Sequence, residues 1–290
     1  MKHPLIMHIT YCEQGQEISD VCRKAADWGF DGVEFRRRRI DIPETQDAYL
    51  DALEAGVRAS GLRNVLFGYP GPLLTGEDAG EREREVQEAI AFYRHVAGRF
   101  KTRTANLLTG GLRNPDPAVP YHEYTRHGSF IATPEQWDWQ VKGCRDLADG
   151  LAGVDIRFAF ETHMVYLHDT IDAVKKLVTR IDRRSIGVNL DYGNLIDFPE
   201  HPSPEECLQS LSGMLYYVHL KNSCSVRGAP GRIPTGLGDG EINTRHLLRL
   251  LRASGYEGPL CLEGPRPGDR EWFAQADIAY LKRLLADLGM

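Results

Sequence analysis

The sequence lacks the features that mark disulfide-rich, zinc-binding and membrane-spanning proteins. Its six cysteines are scattered, and no two of them form a Cys-x-x-Cys pair, which is typical of reduced thiols in a cytosolic protein. No apolar run approaches the length of a transmembrane helix, and the opening MKHPLIMHITYCEQG does not have the pattern of a signal peptide. We therefore expect a cytoplasmic protein with no membrane partner.

The sequence also lacks an excess of positive charge, with 35 lysines and arginines against 41 aspartates and glutamates. The formal net charge is -6 at pH 7, whereas a nucleic-acid-binding surface normally carries a basic excess. This balance disfavours nucleic acid as a partner. The run Arg36–Arg39 could bind a phosphate or carboxylate of a small ligand, although a solvated run is the simpler interpretation. No glycine-rich phosphate loop follows the first predicted strand, which disfavours a doubly wound nucleotide-binding sheet.

What the sequence does contain is an alternation of short β-rich runs with longer segments of helical period, repeated eight times. In one helical segment, Val86, Ala89, Ile90 and Tyr93 recur at steps of three and four residues. The predicted strands are Leu5–Cys12, Gly32–Arg36, Leu62–Tyr69, Thr104–Gly110, Ile156–His163, Ser185–Asp191, Leu215–Lys221 and Pro259–Glu263.

This alternation predicts parallel strands joined by helical crossover connections. Eight such units in 290 residues are typical of a closed (β/α)₈ TIM barrel, an α/β fold. No linker or change of composition divides the chain, so we expect one domain over residues 1–290. Two long connections, Gly111–Thr133 and Asn222–Glu241, follow predicted strands and are candidate lids at the barrel face where active sites form.

Side chains of barrel strands alternate between the packed interior and the surrounding helices. If the two phenylalanines of the fifth predicted strand face the helices, Glu161 faces inward. The same alternation turns Asp191, His219 and Glu263 inward at the ends of the next three predicted strands. Four inward ionisable side chains on successive strands are hard to explain as solvated strand ends or as core residues.

Three carboxylates around one barrel mouth repel each other unless a cation balances their charge. Three oxygen donors and one imidazole suit a fairly hard ion with open positions. We therefore predict one divalent metal ion bound by Glu161, Asp191, His219 and Glu263. Mn²⁺ is the expected ion, and Mg²⁺, Co²⁺ and Zn²⁺ are alternatives.

Other polar residues lie near the same predicted strand ends. His163, two residues beyond Glu161, is a reserve candidate for the catalytic base, although a surface histidine would fit the pattern as well. Lys221 could polarise a substrate oxygen, or could only pair with one of the acids. Glu34 and His8 are inward positions on the first two strands, and we expect them to contact the metal ligands or the substrate.

The segments FAFETH, VNLDYGN, YVHLKN, GLGDGEI and GYEGPLCLEGP, in that order, resemble the sugar phosphate isomerase/epimerase group of the xylose isomerase-like TIM barrel superfamily. The resemblance extends over nearly the whole chain but does not single out one activity. It implies a metal bound at Glu161, Asp191, His219 and Glu263, the four residues that strand alternation selects. It also implies a small-molecule sugar as substrate and a homo-oligomer, either a dimer or a tetramer.

Two positions depart from the pattern of the ketose 3-epimerases in this group. Many of them carry a histidine in contact with substrate three residues after the aspartate of the sixth strand, where this sequence has Asn194. They also carry an arginine six residues after the histidine of the seventh strand, where this sequence has Ser225, with Arg227 nearby. Asn194 and Arg227 are accordingly the candidate substrate-binding residues in these two regions.

The first functional hypothesis is a metal-dependent isomerase or epimerase of a ketose or keto-sugar, phosphorylated or not. Glu161 and Glu263 would accept and donate the proton on either side of an enediolate. The second hypothesis is a lyase or dehydratase that uses the same site on a keto-sugar, a keto-glycoside or a cyclic keto-polyol. The third is a noncatalytic barrel or a phosphodiesterase acting on abasic DNA, which the intact ligand set and the acidic charge disfavour.

Overall fold

The structure is a computed structural model and describes residues 3–12, 16–39, 42–228, 231–264 and 266–290. Its strands in chain order are β1 (Leu5–His8), β2 (Gly32–Arg36), β3 (Asn64–Gly68), β4 (Thr104–Leu107), β5 (Arg157–Glu161), β6 (Ile186–Asp191), β7 (Leu215–Leu220), β8 (Asn222–Ser225), β9 (Arg232–Thr235) and β10 (Leu260–Leu262). Eight of them close into a barrel in the order β1–β10–β7–β6–β5–β4–β3–β2. The predicted (β/α)₈ TIM barrel is therefore confirmed.

Helices follow the barrel strands, as the crossover connections of parallel strands require. They are α1 (Ile18–Trp28), α2 (Gln46–Ser60), α3 (Ala79–Phe100), α4 (Pro134–Gly150), α5 (Ile171–Ile181), α6 (Tyr192–Leu195), α7 (Pro204–Ser210), α8 (Thr244–Ala253) and α9 (Arg270–Leu288). Among the described residues, no helix is both long enough and apolar enough to span a membrane.

Except for α1, each of these helices begins at a residue whose side chain accepts a backbone N–H. Thr133 and Gln136 form a capping box at the start of α4, where Pro134 occupies a position at which a helix needs no backbone donor. Thr170 caps α5 by accepting from the backbone N–H of Ala173. Each cap lies at the carboxyl end of the barrel, so these side chains also fix where the loops of that face end.

The barrel strands are mostly shorter than the sequence predicts. β1 ends at His8 rather than at Cys12, because the His8 side chain accepts from the backbone N–H of Thr10 and starts a 3-10 turn over Ile9–Tyr11. β5 ends at Glu161, so the alternation of inward and outward side chains does not continue to His163. Local side-chain hydrogen bonds of this kind compete with strand pairing and are not visible in a hydrophobic pattern.

Contacts divide the chain into two compact units, one of residues 1–67 and 218–290 and the other of residues 68–217. In the first unit, α1 and α2 approach so closely that a Cβ at Gly56 would lie 3.0 Å from Sγ of Cys22. In the second unit, Tyr93 of α3 packs edge-on against Phe158 of β5, with ring centroids 4.8 Å apart. One domain over residues 1–290 stays a prediction.

The long connection after β4 is held to its own unit by two buried side chains. His127 accepts from the backbone N–H of Asn114 at 2.9 Å and lies 3.1 Å from the carbonyl oxygen of Pro120. Asp169 accepts from the backbone N–H of Ser129 at 3.0 Å. Gly128 has a positive φ, and a Cβ there would lie 2.0 Å from Oδ2 of Asp169, so this approach requires glycine.

The long connection after β7 has secondary structure of its own. β8 and β9 pair as an antiparallel hairpin, in which Cys224 is opposite Ile233. Asn222 ties the base of the hairpin by donating to the carbonyl oxygens of Leu237 and Ile242 at 3.0 and 2.9 Å. The sequence predicts only a loop here, since glycine, proline and arginine obscure the alternation that marks a strand.

Candidate active site

In the second unit, Glu161 is held by neutral amides. It is 2% exposed and ends β5. The side-chain amide of Asn106 donates to Oε2 at 2.7 Å, and that of Asn194 donates to Oε1 at 3.1 Å. Asn189, which pairs with Glu161 across β5 and β6, donates to Oδ1 of Asn106 at 3.0 Å. The chain of amides fixes both oxygens of a buried carboxylate in one orientation.

Asp191 ends β6 and is fully buried beside this carboxylate. Its Oδ1 accepts from the backbone N–H of Asn194 at 3.1 Å, so Asp191 caps the single turn of α6. The hydroxyl of Thr162 donates to the carbonyl oxygen of Asp191 at 3.1 Å and accepts from its N–H at 2.9 Å. Because Asn194 also donates to Glu161, one residue orients both carboxylates.

A histidine behind β5 holds its last peptide group. His168 is fully buried, and its Nδ1 lies 2.5 Å from the carbonyl oxygen of Glu161. Burial lowers the pKa of His168 to about 3, although the hydrogen bond with Glu161 raises it. The imidazole is therefore neutral, and Nδ1–H donates to the backbone of Glu161.

In the first unit, His219 of β7 lies between two carboxylates. Its Nε2 is 3.0 Å from Oε2 of Glu34, and its Nδ1 is 2.8 Å from Oε2 of Glu263. His219 and Glu34 are each 1% exposed. Glu34 pairs with His8 across β1 and β2, and Nε2 of His8 lies 3.7 Å from Oε1 of Glu34. Glu34 thus contacts both His219 and His8.

Glu263, one residue beyond β10, faces positive charge. Nζ of Lys221 lies 3.6 Å from Oε2 of Glu263. Burial alone would raise the pKa of Glu263, but Lys221, His8 and the His219 hydrogen bond together lower it well below its usual range. The carboxylate is therefore held in its ionised form, which is the form that binds a metal ion or accepts a proton.

The other predicted site residues differ in their burial and their contacts. Glu34 contacts His219, Lys221 contacts Glu263, and His8 contacts Glu34. His163 is half-buried, and its Nδ1 lies 2.9 Å from the carbonyl oxygen of Met164. Arg227 is exposed, in the turn between β8 and β9. The catalytic and binding roles of all these residues stay predictions.

The arginine run differs from a solvated one. Arg37 is 4% exposed, and Arg39 donates through Nε and Nη2 to the two carboxylate oxygens of Glu44, each at 2.6 Å. Of the four arginines, only Arg38 is exposed. Arg39 is therefore already occupied by a bidentate ion pair.

Sequence reasoning missed the residues that orient the ligands. Asn106, Thr162 and His168 are buried polar side chains that contact Glu161 or Asp191. The available signal was weak: Asn106 has the inward parity of β4, and Thr162 follows Glu161 directly. Neither asparagine nor threonine is a strong metal ligand, so residue type alone does not mark Asn106 or Thr162 as part of a metal site.

The donor set of the candidate site fits a divalent ion. Glu161, Asp191, His219 and Glu263 each offer one atom that could bind a metal. Carboxylate oxygens with a single imidazole suit Mn²⁺ or Mg²⁺ better than a closed thiolate zinc site. Glu161 has amide partners and His219 has Glu34 as a partner, and a metal site needs such ordered partners to keep its ligands oriented.

Comparison with known proteins gives relatives of more than one activity. The chain is 25% identical over 149 residues to the inosose dehydratase of Clostridium botulinum (strain Eklund 17B / Type B), which is 47% of this chain and 49% of that protein. The chain thus spans about half the length of the curated relatives it matches. Inosose dehydratase of Geobacillus thermodenitrificans is similar at 24% identity over 149 residues, 46% of this chain and 48% of that protein.

Solved structures match over nearly the full chain. A xylose isomerase-like TIM barrel protein from Mycobacterium smegmatis, in complex with magnesium, superposes with a TM-score of 0.75 at 18% identity, covering 98% of this chain and 97% of that one. D-psicose 3-epimerase of Clostridium cellulolyticum H10, with D-tagatose, gives 0.73 at 16% identity, covering 97% and 99%. These likenesses concern the fold. The sequence profile of one family matches residues 22–284, and the chain therefore belongs to the xylose isomerase-like TIM barrel family.

Proposed function

We propose that this protein is a divalent-metal-dependent isomerase or epimerase of a ketose or keto-sugar. The observation that carries the proposal is that two glutamates at strand ends, Glu161 and Glu263, are each fixed by an ordered network. One is held by amides and the other by Lys221 and His219. Reactions that move a proton next to a carbonyl need two such positioned groups, one to accept the proton and one to return it.

A metal bound by Glu161, Asp191, His219 and Glu263 is part of the proposal. It is supported by the strand order, since β5, β6, β7 and β10 are successive neighbours in the barrel. Residues at the carboxyl ends of neighbouring barrel strands build the active sites of this fold. When bound, such an ion polarises the carbonyl group of the substrate and stabilises negative charge that develops beside it. Mn²⁺ is the proposed ion.

The proposed roles of the protein groups follow from their contacts. Glu263 is held ionised and can accept a proton, and Glu161 is held with both oxygens oriented by amide donors. Transfer from one glutamate's face to the other's inverts a carbon centre, whereas return to the adjacent carbon interconverts an aldose and a ketose. Lys221, beside Glu263, can donate a hydrogen bond to a substrate oxygen. Glu34 is a positioning residue, because it accepts from Nε2–H of His219. Nδ1, which now contacts Glu263, would be the ligand atom when a metal is bound.

A second function, dehydration, is favoured by two specific observations. The curated relatives that match this chain are inosose dehydratases. In addition, Asn194 is buried, and its side-chain amide donates to Oε1 of Glu161 at 3.1 Å and to the carbonyl oxygen of Thr162 at 2.9 Å. An amide cannot relay a proton, so one route for reprotonating the substrate is absent at that position. The same proton abstraction followed by loss of hydroxide would give elimination.

The test begins with metal content, measured by elemental mass spectrometry on the purified protein after reconstitution with Mn²⁺. We expect about one ion per chain, lost or weakened in Glu161→Gln, Asp191→Asn and Glu263→Gln. Asp146→Asn is the matched control, because Asp146 is half-exposed and pairs with Lys142 on the outer face of α4. Wild-type protein that binds no divalent ion would overturn the proposal.

The loaded enzyme is then incubated with keto-sugars in D₂O, and products are identified by mass spectrometry and NMR. An epimerase or isomerase gives products of unchanged composition with one solvent deuterium on carbon. A dehydratase gives a product that has lost one water. The first result supports the proposed function, and the second replaces it with the dehydratase alternative at the same site.

A further inference from the structure

Three side chains that can bind a metal lie close together in the buried interior of the first unit. They are Glu34 of β2, His219 of β7 and Cys261 of β10, and each offers one ligand atom within 4.8 Å of the other two. None of the three residues is more than 1% exposed. This trio, which we call the thiol site, shares only His219 with the four predicted metal ligands.

The pairing of the strands brings the thiol of Cys261 to this place. Cys261 is paired in register with His219 across β10 and β7, and the side chains of paired residues point to the same face of a sheet. Glu263 is two residues further along the chain and has the same parity as Cys261. Cys261 therefore lies on the inner face of the barrel, two residues deeper than the glutamate.

The two ring nitrogens of His219 face different carboxylates. Nδ1 lies 2.8 Å from Oε2 of Glu263, and Nε2 lies 3.0 Å from Oε2 of Glu34. A neutral imidazole carries its proton on one nitrogen and a lone pair on the other. His219 can therefore bind an ion through Nδ1 while Nε2–H donates to Glu34, or through Nε2 while Nδ1–H donates to Glu263. It cannot do both.

The donor set of the thiol site favours a different ion from that of the predicted metal site. A thiolate selects soft or borderline ions such as Zn²⁺ and Cd²⁺, whereas Mn²⁺ and Mg²⁺ prefer oxygen ligands. One thiolate and one carboxylate also balance the two positive charges of the ion, which lowers the cost of burying it. Three protein ligands with a water molecule in the fourth position are sufficient for zinc.

The distances within the thiol site suit such an ion. With bonds of about 2.0–2.3 Å, two ligand atoms of one tetrahedral zinc ion are roughly 3.3–3.8 Å apart. Nε2 of His219 and Oε2 of Glu34 are 3.0 Å apart, and no pair of ligand atoms in the trio exceeds 4.8 Å. Side-chain shifts of about 1 Å or less would therefore bring all three atoms to bonding distance.

We propose that the thiol site binds a thiophilic divalent cation, Zn²⁺ or Cd²⁺, and that this ion and the Mn²⁺ of the proposed function exclude each other at His219. On binding, Sγ of Cys261 releases its proton to solvent and forms a bond to the ion. His219 exchanges its proton from Nε2 to Nδ1, and no electron is transferred. The exclusion rests on the proposed function, whereas the thiol site itself does not. A thiophilic ion would accordingly inhibit the enzyme.

The first test is titration of the metal-free protein with Cd²⁺, followed by ultraviolet absorption. A sulfur-to-cadmium charge-transfer band should appear and saturate at about one ion per chain. Cys261→Ala and Cys261→Ser should both lose the band, and the serine variant nearly preserves the side-chain volume. Cys22→Ala is the matched control and should keep the band, because Cys22 is equally buried but lies on α1, outside the thiol site. No band in wild type, or a band that persists in both Cys261 variants, would overturn the proposal.

The second test adds Cd²⁺ to the Mn²⁺-loaded protein and measures free Mn²⁺ by electron paramagnetic resonance. The charge-transfer band and the release of Mn²⁺ should rise together in wild type. Cys261→Ser keeps all four proposed Mn²⁺ ligands, so it should bind Mn²⁺ normally and need at least about tenfold more Cd²⁺ to release it. A band that forms while Mn²⁺ stays bound would overturn the exclusion. A band in wild type that binds no Mn²⁺ would overturn the proposed function and leave the thiol site standing.

Discussion

Two desolvated carboxylates, one in each unit, have pKa values shifted in opposite directions: Asp169 is buried and Glu263 is partly buried. Asp169, in the second unit, is fully buried, and the backbone N–H of Ser129 donates to it. Burial raises the pKa of Asp169 to about 6, although the hydrogen bonds from Ser129 lower it. Glu263, in the first unit, is also desolvated, but Lys221, His8 and His219 lower its pKa well below the usual range. Burial has the same sign in both cases, so the neighbouring charges decide the outcome.

The same contrast separates the groups that hold the two candidate catalytic glutamates. Glu161 accepts from two side-chain amides, which are neutral and cannot titrate. Glu263 faces a lysine and a histidine, which carry or can carry positive charge. We infer that the first arrangement fixes orientation and the second fixes ionisation. A site that moves a proton needs both properties.

The largest expected effect comes from removing either glutamate's charge. Glu161→Gln and Glu263→Gln should each lower kcat by roughly 10²–10⁴, the usual contribution of a positioned proton-transfer group. Turnover and solvent deuterium exchange at the substrate carbon are measured together by NMR. If one glutamate accepts the proton and the other returns it, exchange should survive in one variant only.

Either variant retaining more than about a tenth of wild-type kcat would contradict this division of roles. Loss of exchange in both variants together with loss of metal would assign both residues to metal binding alone. Asp146→Asn again serves as the control for removal of a carboxylate on an outer helix.

Glu34→Gln tests whether the charged network of the first unit fixes its histidine. Glu34 accepts from Nε2 of His219, and loss of such a partner typically lowers metal affinity 10–100-fold. The amide of glutamine can present its NH₂ to Nε2 instead and so permit the other tautomer. The dissociation constant for Mn²⁺ is measured by electron paramagnetic resonance of the free ion.

Glu34→Asp should recover part of the affinity lost in Glu34→Gln, because it restores the acceptor with a shorter side chain. An unchanged dissociation constant in Glu34→Gln would show that Glu34 does not orient the metal ligand. A lowered melting temperature without a change in metal affinity would assign Glu34 to stability alone.

The sequence was sufficient to predict the barrel, and strand alternation also selects the four candidate ligands. Alternation along β5, β6, β7 and β10 is a property of the strands themselves, and parallel strands bring their carboxyl ends to one face. The groups that orient these ligands could not be predicted in this way. Asn106 contacts Glu161 from 55 positions away along the chain, and nothing in the local pattern of β4 distinguishes it from a satisfied core amide.

The ends of the strands could not be predicted from the sequence either. Whether β1 continues to Cys12 or stops at His8 depends on one hydrogen bond from the backbone of Thr10 to a side chain. A cavity of about 350 Å³ is lined by residues of α1, α2 and the ends of β1 and β2, and its size depends on how these elements pack. Hydrophobic periodicity predicts which residues are apolar but not whether they fill the space between them.

Asp169→Asn tests whether a carboxylate buried without a neighbouring positive charge lowers the free energy of unfolding. A folded-state pKa of about 6 in place of 3.8 means that, between these values, the folded protein binds a proton that the unfolded chain has lost. The ionised group therefore opposes folding at pH 7, and this cost disappears as the pH falls from 6 to 4. Asparagine removes it, so the free energy of unfolding at pH 7 should rise by about 1–3 kcal/mol.

Urea unfolding of wild type and Asp169→Asn at pH 4, 5, 6 and 7 gives the measurement. The two curves should converge at low pH and separate as the pH rises. Asp149→Asn is the control, because Asp149 is exposed and its hydrogen bond with Arg183 lowers its pKa, the opposite direction. Parallel curves for wild type and Asp169→Asn would show that Asp169 titrates normally in the folded protein.

The smallest effect is expected at Lys221, whose ammonium group lies 3.6 Å from Oε2 of Glu263. A lysine at this distance competes with a metal ion for the carboxylate and repels the ion. Lys221→Met should therefore tighten Mn²⁺ binding by about threefold to tenfold, equivalent to roughly 1 kcal/mol. The titration is done at pH 8, where Glu263 is ionised with or without the lysine, so that the change reports charge repulsion and not protonation.

Lys221→Arg keeps the positive charge and should leave the affinity near that of wild type. The corresponding removal of a neutral partner in the second unit, Asn106→Ala, should weaken Mn²⁺ binding, since Glu161 then loses an orienting donor. Tighter Mn²⁺ binding in Lys221→Met together with weaker binding in Asn106→Ala would establish two different effects. Charge would then control metal binding at Glu263, and orientation would control it at Glu161. Weakening in both would mean that Lys221, like Asn106, only orients its carboxylate, and the contrast between the two networks would then be one of pKa and not of metal affinity.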